Sequence, residues 1–342
     1  MFAVRREICA YAIDKTDFYG YYILTMELKD IISRFIITDT GGRADYSHGC
    51  AAAVGCFDGV HLGHRALIGE LCVRANEKRL PAVIFTFLPD DRPKQNTKLL
   101  ASRRGNLRLL AACGVNRVIE IPFGAVRDIP AEDFVRDILL RAFDVRLAVG
   151  GYNFRFGYRG SGDNALLAAV LAEGGAECFV TPAYTFCGIP VSSTEIRERI
   201  HRGDVRTANA MLGRQYSFSG TIIHGKGIGH MLGFPTINIH FPQNFTVPRY
   251  GVYASEVRLD GITYGGVTNI GIRPTFGGDT VPMSETFIFG FSGDVYGRTA
   301  AVSLCGFIRD ERRFESTDTL KNRIETDKIY AKSILSEGGP AI

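Results

Sequence analysis

The chain changes its hydrophobic rhythm partway along, and that change restricts it to a fold in two parts. From Ala51 onward, apolar β-type runs alternate with stretches whose apolar residues return every three or four positions. The strand candidates are AAAVGCF, AVIFTF (Ala82 to Phe87), RVIEI (Arg117 to Ile121), RLAVGG and ECFVTP. Between them, Leu67, Ile68, Leu71, Cys72 and Ala75 share one helical face, and Phe134, Ile138 and Ala142 share another. This alternation specifies a parallel sheet with helices on both faces. After Ile200 the texture shifts, and helical patterning stops near Leu212. Short β runs separated by glycine follow: YSFSGTIIHG, TINIHF, GVYASEVRL, ITYGGVTNIG, ETFIFGFSG and AAVSLCGFI. Asp260-Gly261 between two of them is a hairpin turn pair, since both residues tolerate positive φ. Many short strands at this spacing predict a small closed antiparallel barrel. A terminal helix is expected from about Asp318 to Leu335, with Thr317 as its cap.

Length agrees with two cores, because 342 residues is long for one domain. The expected division is an extension without clear patterning at 1–48, an α/β domain at 49–212, a barrel domain at 213–335 and a tail at 336–342. The formal charge of +4 is small and its lysines and arginines are scattered, which argues against a nucleic-acid partner. No stretch approaches the ~18 uninterrupted apolar residues of a membrane span, and early charges break up any secretory signal. A cytoplasmic protein with small-molecule partners is expected, as a monomer or weak homo-oligomer. Eight cysteines run from Cys9 to Cys305 without a CxxC pair. They read as reduced, mostly buried thiols with neither metal nor redox work.

Chemistry concentrates in four segments. In GCFDGVHLGH (Gly55 to His64), glycines 55, 59 and 63 (Gly55, Gly59, Gly63) let backbone approach an anion closely, and the following helix offers free N–H groups. His61 and His64, three apart on the first turn, can both serve one phosphate group, with Asp58 beside them. In VSSTEIRERI, Ser193 and Thr194 are placed to cap a helix, and Arg197 lies one turn on, where it can grip anionic oxygens; taken alone the segment is an ordinary helix start. In GGYNFRFG, Asn153 can hydrogen-bond a substrate, while Phe154 and Phe156 are equally well core aromatics.

The fourth segment is HGKGIGHMLGFPTINI. GKG lacks the serine or threonine that a P-loop needs after lysine, so the Walker reading fails. What remains is a glycine-rich loop (Gly225, Gly227, Gly229, Gly233) running into Pro235, then Thr236 and Asn238 on one face of a strand. A hydroxyl and an amide carbonyl there suit Mg2+, which prefers oxygen ligands. Glu285, in SETFIF, either pairs with a basic group or acts as a base. Arg309, Glu311 and Arg313 form a solvated charge cluster unless a ligand lies nearby.

These segments, with TFLP, GVTNIGIRPTFGG, GDVYG and IRDERRF, resemble the bacterial bifunctional riboflavin kinase/FMN adenylyltransferase family over about residues 50 to 332, in the family's motif order. The resemblance implies a Rossmann-like nucleotidyltransferase domain that adenylylates FMN to FAD, and a riboflavin kinase barrel that makes FMN from riboflavin. ATP is the co-substrate, Mg2+ the cofactor, and FMN and FAD are products. It assigns ATP and phosphate binding to Gly55, Phe57, Asp58, Gly59, His61, Gly63, His64, Asn153, Ser193, Thr194 and Arg197, and to the glycine loop through Pro235. Thr236 and Asn238 match the PTxN magnesium and phosphate residues, and Glu285 the base. Asn153, Phe154, Arg309 and Glu311 are read as flavin contacts. The chain departs from the family in reading TFLPDD where TFxPHP is usual, and in carrying His230 where arginine is common. The competing readings are another HxGH nucleotidyltransferase, a relative of class I aminoacyl-tRNA synthetases, and a kinase whose adenylyl site survives only as a flavin- or nucleotide-binding module.

Overall fold

A computed structural model describes residues 26–41, 44–92, 97–225, 234–274, 280–312 and 314–337. Its described residues form two compact units, one holding those up to Thr97 and Ser102–Pro190, the other Lys98–Ala101 and Val191 onward. The packing boundary thus falls at Pro190, ahead of the change of sequence texture near Leu212.

The first unit is built on the strands β1 (Ile36–Asp39), β2 (Cys50–Val54), β3 (Ala82–Phe87), β4 (Arg117–Ile121), β5 (Val145–Gly151) and β6 (Glu177–Thr181), which form a six-stranded sheet in the order β1-β4-β3-β2-β5-β6, while β7 (Thr185–Phe186) and β8 (Ile189–Pro190) pair as a separate ribbon. Within the six-stranded sheet all pair in parallel except β1, which lies antiparallel on β4. Strand side chains alternate between two cores, as a period of two demands. Cys50, Ala52, Val83, Phe85, Ile119 and Ile121 face one core with Phe134 and Ile138. Ala51, Ala53, Ile84, Val118 and Leu147 face the other with Ile68, Leu71 and Leu110. The covering elements are α1 (Met26–Ser33), α2 (Leu62–Lys78), α3 (Arg103–Ala112), a π-helix (Phe134–Ala142) and α4 (Asn164–Glu173).

The expected extension of uncertain order is folded over its described residues, 26–41 and 44–48. It contributes α1, which buries Leu28 and Ile32, and the edge strand β1, tied to β4 by the Arg117–Asp39 ion pair at 2.6 Å. A four-residue strand is too short to show alternation, so its partner strand, not its own pattern, makes it visible.

The second unit opens with α5 (Ser193–Arg202) and α6 (Val205–Leu212). Ser192, one residue earlier than expected, caps α5 by accepting the Glu195 N–H, which leaves Ser193 and Thr194 inside the first turn. Its sheet runs β10-β13-β12-β11-β14-β9, all antiparallel. The strands are β9 (Tyr216–Thr221), β10 (Thr236–His240), β11 (Gly251–Leu259), β12 (Ile262–Pro274), β13 (Thr280–Ile288) and β14 (Thr299–Arg309). Asp260 and Gly261 take the expected positive φ in the two-residue turn of β11–β12. Among the described residues the edges meet at the isolated bridge Ile223 to Asn238, so the sheet curls into a half-barrel. Inside it, hydroxyls of Ser255, Thr268 and Thr286 form a buried column at 2.7 and 2.9 Å.

The terminal helix, α7 (Thr317–Glu337), is capped by Ser316, whose Oγ accepts the Thr319 N–H; Thr317 is its first helical residue. A buried Asp327 holds α7 on β14 by accepting from Nε and Nη2 of Arg309, and Arg323 joins from one turn back at 3.0 Å. Asp327→Asn keeps the shape but leaves two guanidinium groups without their anion. It should destabilise the second unit by about 3 kcal/mol in chemical denaturation followed by far-UV circular dichroism.

The described cysteines are all free, but only Cys50 is fully buried, while Cys56 and Cys187 are exposed; Cys9 lies outside the described residues. The expectation of mostly buried thiols therefore fails. Burial pushes the Cys50 and Cys305 thiols up to about 12, so roughly one molecule in ten thousand carries either thiolate at pH 8. Maleimide at that pH should label Cys56 and Cys187 first and leave Cys50 and Cys305 unmodified, as read by peptide mass spectrometry. Prompt labelling of Cys50 in native protein would contradict the packing described.

Candidate functional site

In the first unit the strand order reverses direction at β2, with β3 and β4 on one side and β5 and β6 on the other. A sheet of this kind leaves a crevice beyond the carboxyl ends of the two strands flanking the reversal. GCFDGVHLGH leaves β2 at that end, and GGYNFRFG leaves the adjacent parallel β5 at the same end.

The turn after β2 is strained. Phe57 and Val60 carry positive φ, +37° and +40°, as does Gly59 at +77°. Bulky and β-branched residues rarely adopt that region, and such outliers persist only where surroundings over-determine them. Here the Phe57 and Val60 side chains are fully buried in the second core. Thr86 Oγ1 donates to Cys56 O at 3.2 Å, and a Cβ on Gly55 would press on the Phe57 ring. Asp58 is buried with Arg92, Nη1 to Oδ2 at 3.8 Å.

His61 is the N-cap of α2, its Nδ1 accepting the His64 N–H at 3.2 Å. That bond places the imidazole proton of neutral His61 on Nε2. The rings of His61 and His64 stack, centroids 3.6 Å apart and 18° from parallel, and Phe57 meets His64 edge-on. The first turn of α2 contains no acidic residue, so nothing there offsets its positive dipole end.

In the β5 loop, Asn153 is exposed, Phe154 is half-buried and stacks on Phe156, and Phe156 is buried in the core. Asn164 Nδ2 donates to Gly151 O at 2.9 Å, and Thr181 Oγ1 to Gly150 O at 3.2 Å. The two glycines that end β5 are thereby fixed.

The TFLPDD departure has a local explanation. Asp91 turns its carboxylate onto the Gly124 N–H at 3.0 Å, at the start of the short helix Phe123–Val126. One of the two added carboxylates thus has a structural partner. Asp90 is exposed and adds to the field that raises the Arg103 guanidinium, whose largest cause is the hydrogen bond to Glu120.

Ser193, Thr194 and Arg197 belong to the second unit, not to the sheet that carries the histidines. Arg197 Nε donates to Lys98 O at 2.6 Å. Arg199 bridges Glu195 and Asp204, locking α5 to the start of α6.

On the barrel, ladder register gathers the other candidates. Asn238 on β10 faces Glu285 on β13, and Glu285 faces Asn269 on β12. These three share the row that alternates with the buried Ile237, Thr286 and Thr268. Thr236 Oγ1 donates to Glu285 Oε1 at 3.0 Å. Gly225 lies over Asn238, where a Cβ would collide with the amide. Asn269 Nδ2 donates to Glu311 Oε1 at 3.0 Å, and a Cβ on Gly271 would strike that carboxylate. Pro235 is exposed beside the buried Phe234. Gly227, Gly229, His230, Gly233 and Arg313 lie outside the described residues. Arg309 donates Nε and Nη2 to Asp327 and Nη1 to the Asp310 carbonyl.

Sequence reasoning passed over Asn106, Asn269 and Ser192. Asn269 was accessible from strand alternation in ITYGGVTNIG; Asn106, on a helix remote from every motif, left no signal.

A switch-point turn with paired histidines, joined to a barrel whose ladder sets Thr, Asn and Glu together, defines a two-domain nucleotide-dependent transferase. Family profiles divide the chain in the same way. The profile described as FAD synthetase matches residues 43–195, and the one described as riboflavin kinase matches 212–335. The Bifunctional riboflavin kinase/FMN adenylyltransferase of Escherichia coli K12 is 35% identical across 86% of this chain and 95% of its own length. The protein of the same name from Bacillus subtilis is 33% identical across 82% and 90%. A crystal structure titled Macrolide-efflux Protein from Streptococcus pneumoniae aligns with TM-score 0.75 and 26% identity over 86% of this chain and 97% of that one. The chain belongs to the bifunctional riboflavin kinase/FMN adenylyltransferase family. Among the described residues, no helix is long and apolar enough to cross a membrane.

Proposed function

We propose that this chain phosphorylates riboflavin to FMN on its barrel unit and adenylylates FMN to FAD at the switch point of its parallel sheet. The observation that carries the reading is the row Asn238–Glu285–Asn269 with Thr236 hydrogen-bonded to Glu285, a hydroxyl, amides and a carboxylate held by backbone register.

In the kinase step, Glu285 takes the proton of the ribityl hydroxyl as that oxygen bonds to the γ-phosphorus of ATP and ADP departs. Thr236 orients the carboxylate. Thr236 and Asn238 supply hard oxygen donors of the kind Mg2+ accepts, and the donor set fits a cation that keeps waters and nucleotide phosphates as its remaining ligands. Bound there, Mg2+ would neutralise charge on the transferring phosphoryl group. Asn269 and Glu311 line the same row, and Glu311 and Arg309 stay flavin contacts in this reading, Arg309 also fixing α7 through Asp327.

In the adenylyl step, a phosphate oxygen of FMN bonds to the α-phosphorus and pyrophosphate leaves. That oxygen is already ionised, so no base is required. The work is orientation and charge neutralisation. His61, through Nε2–H, and His64 act on the triphosphate together with the N-terminus of α2. Asn153 and Phe154, on the same unit, complete the assignment as nucleotide and flavin contacts.

Incubating purified protein with riboflavin, ATP and Mg2+ and resolving the flavins by chromatography should yield FMN and then FAD. FMN alone would support the kinase-only alternative, and neither flavin would end the proposal. His64→Ala should abolish FAD while leaving FMN; Glu285→Ala should abolish FMN while supplied FMN still becomes FAD. Gly225→Ala, by displacing Asn238, should lower riboflavin phosphorylation roughly tenfold or more with FAD formation from FMN unchanged.

A further inference from the structure

The strained turn after β2 is held by a residue from outside every motif. Asn106, 47 residues after Gly59, accepts the Gly59 N–H on Oδ1 at 2.9 Å. Its Nδ2 donates to Phe57 O, also at 2.9 Å. One side-chain amide therefore pairs with the backbone on both sides of Asp58. These backbone groups sit in the middle of the run Phe57–Val60, where three residues hold positive φ. A turn with so unfavourable a backbone relaxes unless something fixes its carbonyl and its amide together.

Asn106 is itself delivered by a rigid chain of contacts. Ser102 caps α3 by accepting the Gly105 N–H at 3.1 Å. Arg103, the first helical residue, grips the carboxylate of Glu120 with two bonds, 2.8 and 2.7 Å. The Glu120 side chain is only 3% exposed on β4. The central sheet, through β4 and α3, thus places an amide against a turn that β2 alone would leave loosely defined.

We propose that Asn106 is a positioning residue for adenylyl transfer. By clamping Phe57 O and Gly59 N–H, it keeps Gly59 through His61 in the conformation that presents the α2 N-terminus and the His61 cap to the nucleotide phosphates. This inference rests on the FMN adenylyltransferase reading above. Losing the clamp lets the turn sample other conformations, which weakens productive ATP binding more than it weakens the fold.

The test uses the full chain and follows both reactions, riboflavin phosphorylation serving as a control for folding within the same molecule. Asn106→Ala removes both bonds and should lower kcat/KM for ATP in FMN adenylylation by roughly 10- to 100-fold, with riboflavin phosphorylation within about twofold of the parent. Asn106→Asp keeps the shape and the acceptor for Gly59 but sets an oxygen against Phe57 O, so it should be at least as impaired as Asn106→Ala. A residue that merely fills space would tolerate that isosteric change. Hydrogen exchange at the Gly59 amide should quicken in Asn106→Ala. Should Asn106→Ala lose both reactions, Asn106→Asp decides the matter. Adenylylation by Asn106→Asp at the parental kcat/KM would overturn the proposal, whereas absence of FAD formation by the parent chain would instead overturn the reading on which it rests.

Discussion

The reversal of strand order at β2 is the constraint on which the first unit depends. β3 and β4 are laid on one side and β5 and β6 on the other, so the loops after β2 and β5 leave neighbouring parallel strands from the same end without a helix between them. A turn in that position can approach a ligand closely only if it stays low. Positive φ at Phe57, Gly59 and Val60 keeps it so, and the buried Phe57 and Val60 side chains anchor it from below. The hydrophobic core therefore bears the conformational cost of the turn.

The barrel positions its polar groups by other means. Its candidate residues come from three strands and owe their proximity to ladder register, which fixes Asn238 opposite Glu285 and Glu285 opposite Asn269. A slip of one residue would move all three to the other face. The buried Ser255–Thr268–Thr286 column opposes such a slip between β11, β12 and β13, because moving one of them would strand a hydroxyl inside the barrel without its partner. Interior polar bonds thus hold the register of the opposite face.

Most of this architecture was legible in the sequence, for reasons that also mark where legibility ended. β3 and β4 were read at their observed bounds because both are buried apolar runs between glycine-, proline- or asparagine-containing breaks. The Asp260-Gly261 turn was readable because its φ requirement is met by few residue pairs. β1 and α1 were missed because their order derives from β4 and the core, not from a pattern of their own. The histidine pair was legible as a motif, yet its stacking and the cap from His61 Nδ1 were not, since both depend on the exact path of the turn. Arg309 was legible as part of a charge cluster, whereas its bonds through Nε and Nη2 to a carboxylate 18 positions later were not, since they depend on where α7 packs.

The two aspartates after Pro89 show how a local departure is absorbed. Carboxylates beside a triphosphate would repel it if they faced it. Asp91 instead accepts the Gly124 N–H, and the Phe123 N–H bonds to the Asp91 carbonyl at 3.2 Å, so side chain and backbone both turn toward the helix start that follows β4. The same strand end supports Glu120, the anchor for Arg103 and hence for α3. β4 therefore carries two acidic attachments that do opposite things with one kind of charge. One ties an aspartate to the helix start that follows β4, and the other draws in the helix that braces the turn.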